Sequence, residues 1–157
     1  MNHSTSLPKG DIEFRLGRSR RTPARARELF RDQARCWKLT EEVTRTAELL
    51  LSELVTNAVL HGRVSPGREV WVRCALWKEG PLRVEVMDAD GLLPAPRDEE
   101  PAEDDENGRG LRVVATLADR WDTQPRPYGI GKTVWFELDG AWPESKPEGA
   151  AAPRPAS

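Results

Sequence analysis

The strongest constraint on the fold is a helical run that begins near Thr40 and ends at Gly62. Beside its apolar face, Glu53, Asn57 and His61 recur every four residues, so they form a polar stripe on one side of the helix. The apolar side chains recur at helical spacing and must pack against another layer; they are Val43, Ala47, Leu50, Leu54 and Ala58. When such a helix packs on a sheet, its polar stripe lies at the margin of the crevice between the two.

The stripe is compatible with two interpretations. Oxygen and nitrogen ligands in a sheltered crevice suit a hard cation such as magnesium, which proteins hold through few side chains together with a phosphate. A three-residue stripe also arises often by chance on a solvated helix face. The motifs downstream favour the first interpretation.

Composition excludes several functional classes. The length of 157 residues suggests one domain, and 38% hydrophobic with 32% charged residues predicts a polar globule with a modest core. A net charge of -2 argues against nucleic-acid binding by bulk electrostatics. No apolar run approaches the roughly 20 residues of a membrane span, and the first ten residues do not resemble a signal peptide. We therefore expect a cytoplasmic protein that binds neither nucleic acid nor membrane.

The first part of the chain predicts a strand and a helix. Residues 1–10 are polar and predicted to be flexible, and Asp11–Leu16 alternates as a strand does. Thr22 as N-cap and Pro23 at the first helical position predict a helix that ends at about Trp37. The side chains that this helix should bury are Ala26, Leu29, Phe30 and Trp37.

The other face of this helix carries the most concentrated basic patch of the chain. Arg25, Arg31 and Arg35 follow three further arginines, Arg18, Arg20 and Arg21. The patch is either a solvated helix face or a docking surface for an acidic protein partner. Nucleic acid is disfavoured because no aromatic side chains are interleaved and no binding module is recognised.

Two alternating segments, Val70–Leu76 and Leu82–Val86, predict an antiparallel hairpin. Trp71 and Trp77 fall on the face opposite to the valines. Exposed tryptophans are unusual, so we expect a covered second face or a homodimer contact there. The cysteines, Cys36 and Cys74, lack the spacing of a zinc or redox motif and are predicted to be reduced and buried.

The last third of the chain begins with a proline- and acid-rich loop, Leu92–Asn107, and a loop of this length is usually functional or mobile. Residues 122–128 suggest an irregular strand, and Thr133–Leu138 predicts the final strand. An amphipathic helix is predicted from Leu111, Val114, Leu117, Ala118 and Trp121. The folded domain is therefore expected at residues 11–139, and residues 140–157 are predicted to be a disordered tail.

Three motifs follow the polar stripe: an acidic turn within Val86–Gly91, a glycine turn at Glu106–Leu111 and a strand entry at Gly131–Phe136. In this order the four motifs resemble the GHKL ATP-binding family of gyrase, histidine kinases and MutL, from about Phe14 to about Leu138. Within that family the chain looks most like the anti-sigma-factor serine/threonine kinases of Gram-positive bacteria. The resemblance implies an α+β two-layer sandwich, the Bergerat ATP-binding fold, with helices on one face of a mostly antiparallel sheet and an ATP lid in the acidic loop.

The resemblance also implies roles for single residues. Asn57 matches the ligand of the Mg²⁺ ion that bridges the ATP phosphates, and Glu53 matches the general base that accepts the proton of a serine hydroxyl. Asp88 matches the carboxylate that accepts the adenine amino group, with Thr133 assisting it. Gly91 belongs to the same base-binding turn.

At the glycine turn, Gly108 and Gly110 would let backbone amides approach the phosphates at a helix N-terminus, next to Leu111. From its position between the glycines, Arg109 is predicted to contact a terminal phosphate. For His61 a structural role and a place beside the phosphates both stay open.

The expected function is an anti-sigma regulatory factor. It would phosphorylate an antagonist protein at the expense of ATP and sequester a sigma factor. The alternative is a non-catalytic module that binds ATP, or no nucleotide, and regulates transcription through protein contacts. Asp90 and Leu92 stand where the family's Asp-x-Gly-x-Gly turn has glycines. The extra charge of Asp90 favours this alternative, whereas Glu53 favours the kinase. A histidine-kinase domain needs a phosphoacceptor helix, which we do not find before Phe14, and gyrase-like ATPases need further domains.

Overall fold

Five antiparallel strands form one sheet whose spatial order differs from their order along the chain. The computed structural model describes residues 9–61, 69–88, 106–125 and 132–143. The strands lie side by side in the order β1-β2-β3-β5-β4, with every neighbouring pair antiparallel. Their bounds are β1 Gly10–Gly17, β2 Glu69–Leu76, β3 Leu82–Asp88, β4 Arg120–Pro125 and β5 Lys132–Leu138.

In the part of the chain that the structure describes, three helices pack on one face of this sheet: α1 (Thr22–Trp37), α2 (Glu41–His61) and α3 (Glu106–Leu117). The apolar stripe of α2 is buried against the inward side chains of the strands, which include Val72, Val84 and Phe136. The predicted α+β two-layer sandwich is thereby confirmed. Within the residues that the structure describes, no helix has the length and apolar character needed to cross a membrane.

One threonine caps the start of α2, and another fixes the turn that leads into α1. The hydroxyl of Thr40 accepts the Val43 amide at 3.4 Å, so Thr40 caps α2. Thr22 was predicted as the N-cap of α1 but is its first helical residue, with Arg21 at the cap position. Its buried hydroxyl instead donates to the Gly17 carbonyl and accepts the Ser19 amide. Thr22 thus fixes the turn between β1 and α1.

The C-terminal third departs from the predicted elements. The helix was expected to reach Trp121, but α3 ends at Leu117, and Trp121 lies on β4 opposite Phe136. The spacing of Leu117, Ala118 and Trp121 fits a helix. The segment nevertheless pairs with β5, because hydrogen bonds at Asp119 join it to the end of that strand. The Asp119 amide donates to the Glu137 carbonyl at 3.0 Å, and the Asp139 amide donates to the Asp119 carboxylate at 2.7 Å.

The packed region is wider than predicted at both ends. The Lys9 amide donates to the Leu76 carbonyl at 2.6 Å, so the sheet begins before residue 11. Beyond Gly140, Ala141 and Trp142 are buried, although the segment was predicted to be disordered from residue 140. Their apolar side chains join the core despite the surrounding composition. The loop was predicted to reach Asn107, but α3 already begins at Glu106. Residues 92–105 of that loop and the tail from 144 onward lie outside the described residues.

Burial on α1 and β2 also differs from the prediction at single positions. Ala26 and Phe30 are fully buried as expected, whereas Leu29 and Trp37 are only half-buried. Cys74 lies in the core, where burial raises the pKa of its thiol well above the usual range. Cys36 is exposed, contrary to prediction, because it falls on the solvent side of α1.

The face of the sheet opposite the helices carries a row of paired charges. Trp71 on this face is half-buried beneath the Arg15 guanidinium, 4.2 Å from the ring centroid. The expected cover is thus supplied in part by the chain's own side chains, and a homodimer stays a prediction. Acid and base alternate across all five strands and the end of β5, in the order Asp11, Arg73, Glu85, Arg83, Glu137, Arg120 and Asp139.

Candidate functional site

A pocket opens between α2, α3 and the ends of β3 and β5. Three predicted site residues meet there: Asn57 of α2, Asp88 at the end of β3 and Leu111 of α3. The remaining lining residues are Leu54, Ala58, Val86, Lys132 and Val134. The pocket therefore combines an apolar wall with an amide, a carboxylate and an ammonium group, as ligand-binding pockets commonly do.

Gly110 allows α3 to approach the Asn57 side chain closely. A Cβ atom placed on Gly110 would lie 2.7 Å from Asn57 Nδ2 and 3.3 Å from its Oδ1, which is too close for ordinary packing. The predicted glycine turn is part of α3, which already begins at Glu106, so Gly110 lies inside the helix. Gly110 therefore leaves space for the Asn57 side chain. The predicted approach of its backbone amide to a phosphate stays a prediction.

Gly108 falls in the first turn of α3, where backbone N–H groups have no partner within the helix. This position is compatible with the predicted phosphate contact, which stays a prediction. Arg109 follows in the same turn, and its side chain lies outside the described residues. The same holds for the side chain of His61, the last residue of α2, and for all of Gly91.

Arg18 lies beside Asp88, an arrangement that the sequence did not predict. Its Nη2 atom is 3.7 Å from Asp88 Oδ1 and donates to the Ala58 carbonyl at 2.6 Å. The Arg18 side chain is only 8% exposed. Its Nε and Nη1 atoms are buried and donate no hydrogen bond to any described residue. The sequence places Arg18 among the arginines of the basic patch, and its spacing gives no sign that it is buried.

Strand register places Lys132, and not Thr133, at the pocket. Thr133 pairs with Met87, whereas Val86 and Val134 pair with each other and line the pocket. Alternate residues of a strand point to opposite faces, so Thr133 lies on the face away from the helices. The inward alternation of Val134, Phe136 and Leu138 was visible in the sequence and would have identified Lys132 as the pocket residue.

Glu53 lies on α2 one turn before Asn57, with a half-buried side chain. It does not line the pocket and forms no ion pair with any described residue. The preceding Ser52 accepts a hydrogen bond from Arg27 of α1 at 2.7 Å, which anchors this turn of α2. Glu53 thus lies one helical turn from a pocket residue without lining the pocket itself.

The predicted docking patch on α1 is exposed but carries mixed charge. Arg25 pairs with Glu28, Arg31 with Glu48 of α2, and Arg35 with Asp32. Each guanidinium therefore already has a carboxylate partner. Whether a protein partner docks there stays a prediction.

The fold and the pocket agree with the comparison to known protein families. The family model described as histidine kinase-like ATPase domain matches residues 18–138. The chain belongs to the histidine kinase-like ATPase family. This region contains Arg18 and every predicted site residue, from Glu53 to Thr133.

A solved structure with the same fold comes from Mycobacterium tuberculosis: the RsbU and RsbW domains of Rv1364c. The two superpose with a TM-score of 0.65 at 18% sequence identity. The match covers 85% of this chain but only 33% of that one, which is much the longer protein. No curated protein matches the chain.

Proposed function

We propose that this family member is an anti-sigma regulatory factor that binds ATP with Mg²⁺ and phosphorylates a serine of an antagonist protein. The observation that carries the proposal is the meeting of Asn57 and Asp88 in one pocket, on the fold of an ATPase family. The order of its sequence motifs supports the narrower assignment, because it resembles that of the anti-sigma-factor kinases. Sequestration of a sigma factor is part of the same proposal.

The pocket residues fit a bound Mg²⁺–ATP. The Asp88 carboxylate is an acceptor for the amino group of adenine, whereas guanine presents an acceptor of its own at that position. The Asn57 amide oxygen is a hard ligand of the kind that Mg²⁺ prefers, with phosphate and water completing the shell. The space that Gly110 leaves keeps this amide within the pocket. When bound, ATP supplies the phosphoryl group for transfer.

In this proposal Glu53 is the general base. Its carboxylate would accept the proton of the substrate serine hydroxyl, for which it must come within hydrogen-bond distance of that oxygen. Its position one helical turn from Asn57 supports this role, because the two side chains then lie on the same side of α2. A serine from a docked partner can reach Glu53 because the side chain is not fully buried.

The partner surface is proposed to be α1. Exposed ion pairs contribute little stability, so carboxylates of an acidic partner can replace Glu28 and Asp32 at Arg25 and Arg35. Reversing Arg25 and Arg31 to Glu should then weaken sigma-factor binding and leave ATP binding unchanged. Arg45→Glu, which changes an exposed arginine of α2, is the matched control.

A second candidate is a regulator that binds nucleotide without transferring phosphate. The position of Glu53 outside the pocket lining favours it. The two candidates differ in the fate of the γ-phosphate but not in nucleotide binding.

The test combines calorimetry with Mg²⁺–ATP and radiolabelled phosphate transfer to candidate antagonists from the same genome. Binding together with labelled serine on an antagonist supports the kinase. Binding without transfer to any antagonist supports the second candidate. No binding, and no rise in melting temperature at millimolar ATP, contradicts both.

A further inference from the structure

We propose that Arg18 is a positioning residue for nucleotide recognition, which holds the Asp88 carboxylate in the orientation that reads the base. No motif predicted this role, and it deepens the proposed function, on which it rests. The inference concerns the proposed base-binding role of Asp88, and not the proposed roles of Asn57 and Glu53.

The geometry of Arg18 ties three segments together. Arg18 lies in the turn between β1 and α1, and the Thr22 hydroxyl fixes this turn. From there its Nη2 atom donates to the Ala58 carbonyl near the end of α2 and lies 3.7 Å from Asp88 Oδ1 at the end of β3. Ala58 and Asp88 both line the pocket. Arg18 therefore sets the distance between the two walls on which a base would lie.

The burial of Arg18 argues against an incidental contact. A guanidinium keeps its proton in a protein, and removing a charge from water is costly unless pairing compensates for it. The Arg18 side chain is only 8% exposed, yet two of its nitrogen atoms donate to no described residue. Burying this guanidinium costs free energy of desolvation. Its position is therefore better explained by the orientation that it gives the Asp88 carboxylate than by a gain in stability.

The consequence for recognition is directional. A carboxylate can turn about its last bond, and the base amino group is bound well only if one oxygen faces it. The contact of Arg18 to Oδ1 restricts that rotation. Loss of Arg18 should therefore affect nucleotides that carry the 6-amino group more than an analogue that lacks it. A merely structural role would weaken both equally.

The experiment measures the dissociation constants of ATP and of purine riboside triphosphate, which lacks the amino group, with Mg²⁺ present. The parent should favour ATP by about tenfold or more, the usual effect of one hydrogen bond to a charged group. Arg18→Gln should reduce this preference to about threefold or less while the affinity for the analogue stays within about threefold. Arg18→Lys keeps the positive charge but lacks the planar guanidinium with its several N–H donors. It should give an intermediate preference for ATP over the analogue.

The matched control is Arg27→Gln, which breaks the bond between α1 and Ser52 away from the pocket. It should leave the preference for ATP at the parental value. Equal weakening of both nucleotides by Arg18→Gln, or a parental preference in that variant, would overturn the role of Arg18. If Arg18→Gln does not fold, a fully parental preference in Arg18→Lys has the same meaning.

A second measurement does not depend on nucleotide. In chemical denaturation, the double-mutant cycle of Arg18→Gln and Asp88→Asn should show coupling, because the two groups are in contact. Coupling of zero contradicts the positioning contact whatever the nucleotide data show. A parent that shows coupling but binds neither nucleotide contradicts the proposed function and this role in recognition, while leaving the contact in place.

Discussion

Strand β3 carries two carboxylates on opposite faces of the sheet, and their surroundings differ. Glu85, on the open face, accepts a hydrogen bond from Arg83 at 2.8 Å and lies 3.7 Å from Arg73, within a row of alternating charges. Asp88, on the helix side, meets Arg18 at 3.7 Å beside a pocket, and two nitrogen atoms of that guanidinium bond to no described residue. The carboxylate on the open face thus has an arginine on either side. The arginine beside the pocket carboxylate keeps two nitrogen atoms that donate to no described residue.

We propose that this difference separates charges that stabilise the fold from charges that serve ligand binding. On the open face each arginine joins neighbouring strands, so loss of one charge should alter stability and leave ligand binding unchanged. At the pocket, we expect the loss of a charge to alter ligand binding more than stability.

The largest effect is expected at Glu53. Glu53→Gln keeps the size of the side chain but removes the proton acceptor, so the rate of phosphate transfer should fall by about 10²–10⁴, or roughly 3–5 kcal/mol of barrier. The affinity for ATP should hardly change, because the proposed metal ligand is Asn57 and not Glu53. Single-turnover phosphorylation of the antagonist measures the rate, with nucleotide affinity followed in parallel.

Glu41→Gln at the exposed start of α2 is the control and should react at the parental rate. A Glu53→Gln protein as fast as the parent would remove Glu53 from the mechanism. The proposed kinase would then need another base.

Two neighbouring residues of β5, Phe136 and Glu137, face opposite sides of the sheet and should contribute differently to the free energy of unfolding. Phe136 is fully buried on the helix side, so Phe136→Ala should cost about 3–5 kcal/mol in the free energy of unfolding. Glu137 faces the other way and accepts bonds from Arg83 and from the half-exposed Arg120. Since water screens part of that pairing, Glu137→Gln should cost only about 1–2 kcal/mol. Urea denaturation measures both, and equal losses would contradict the smaller contribution expected of the screened ion pairs.

A smaller effect is expected at Gly110. Gly110→Ala should favour the helix by up to about 1 kcal/mol, yet its Cβ would meet Asn57 Nδ2 at 2.7 Å and displace the amide. We expect about tenfold weaker Mg²⁺–ATP binding, the typical effect of losing one polar contact, without a loss of stability. Isothermal calorimetry and thermal melting measure the two quantities.

Gly17→Ala is the control, because a Cβ at Gly17 meets no atom within 4 Å. It should leave nucleotide affinity unchanged. If Gly110→Ala bound Mg²⁺–ATP as tightly as the parent, the position of Asn57 would not depend on this glycine.

The sequence predicted the layers and the order of the elements because periodicity reports which face of each element is buried. The helix of the polar stripe and the hairpin of β2 and β3 were placed correctly for this reason. Trp121 was misplaced because its spacing from Leu117 and Ala118 fits a helix, whereas backbone bonds to β5 decide the outcome.

The site was predicted less completely than the fold. Asn57, Asp88 and Leu111 were identified and do line one pocket. Thr133 was chosen by motif matching, although the alternation of its strand indicates Lys132. Arg18 was beyond sequence reasoning, because its burial results from the packing of a turn against two distant segments.

The most direct test of the account compares the two carboxylates of β3. The dissociation constant of Mg²⁺–ATP is measured for the parent, Asp88→Asn and Glu85→Gln. We predict that Asp88→Asn weakens binding by about 10–100-fold, because a charged acceptor for the adenine amino group is lost. Glu85→Gln, a matched change on the open face, should bind as the parent does. Equal affinities in all three proteins, or equal losses in both variants, would contradict the assignment of this pocket to the nucleotide.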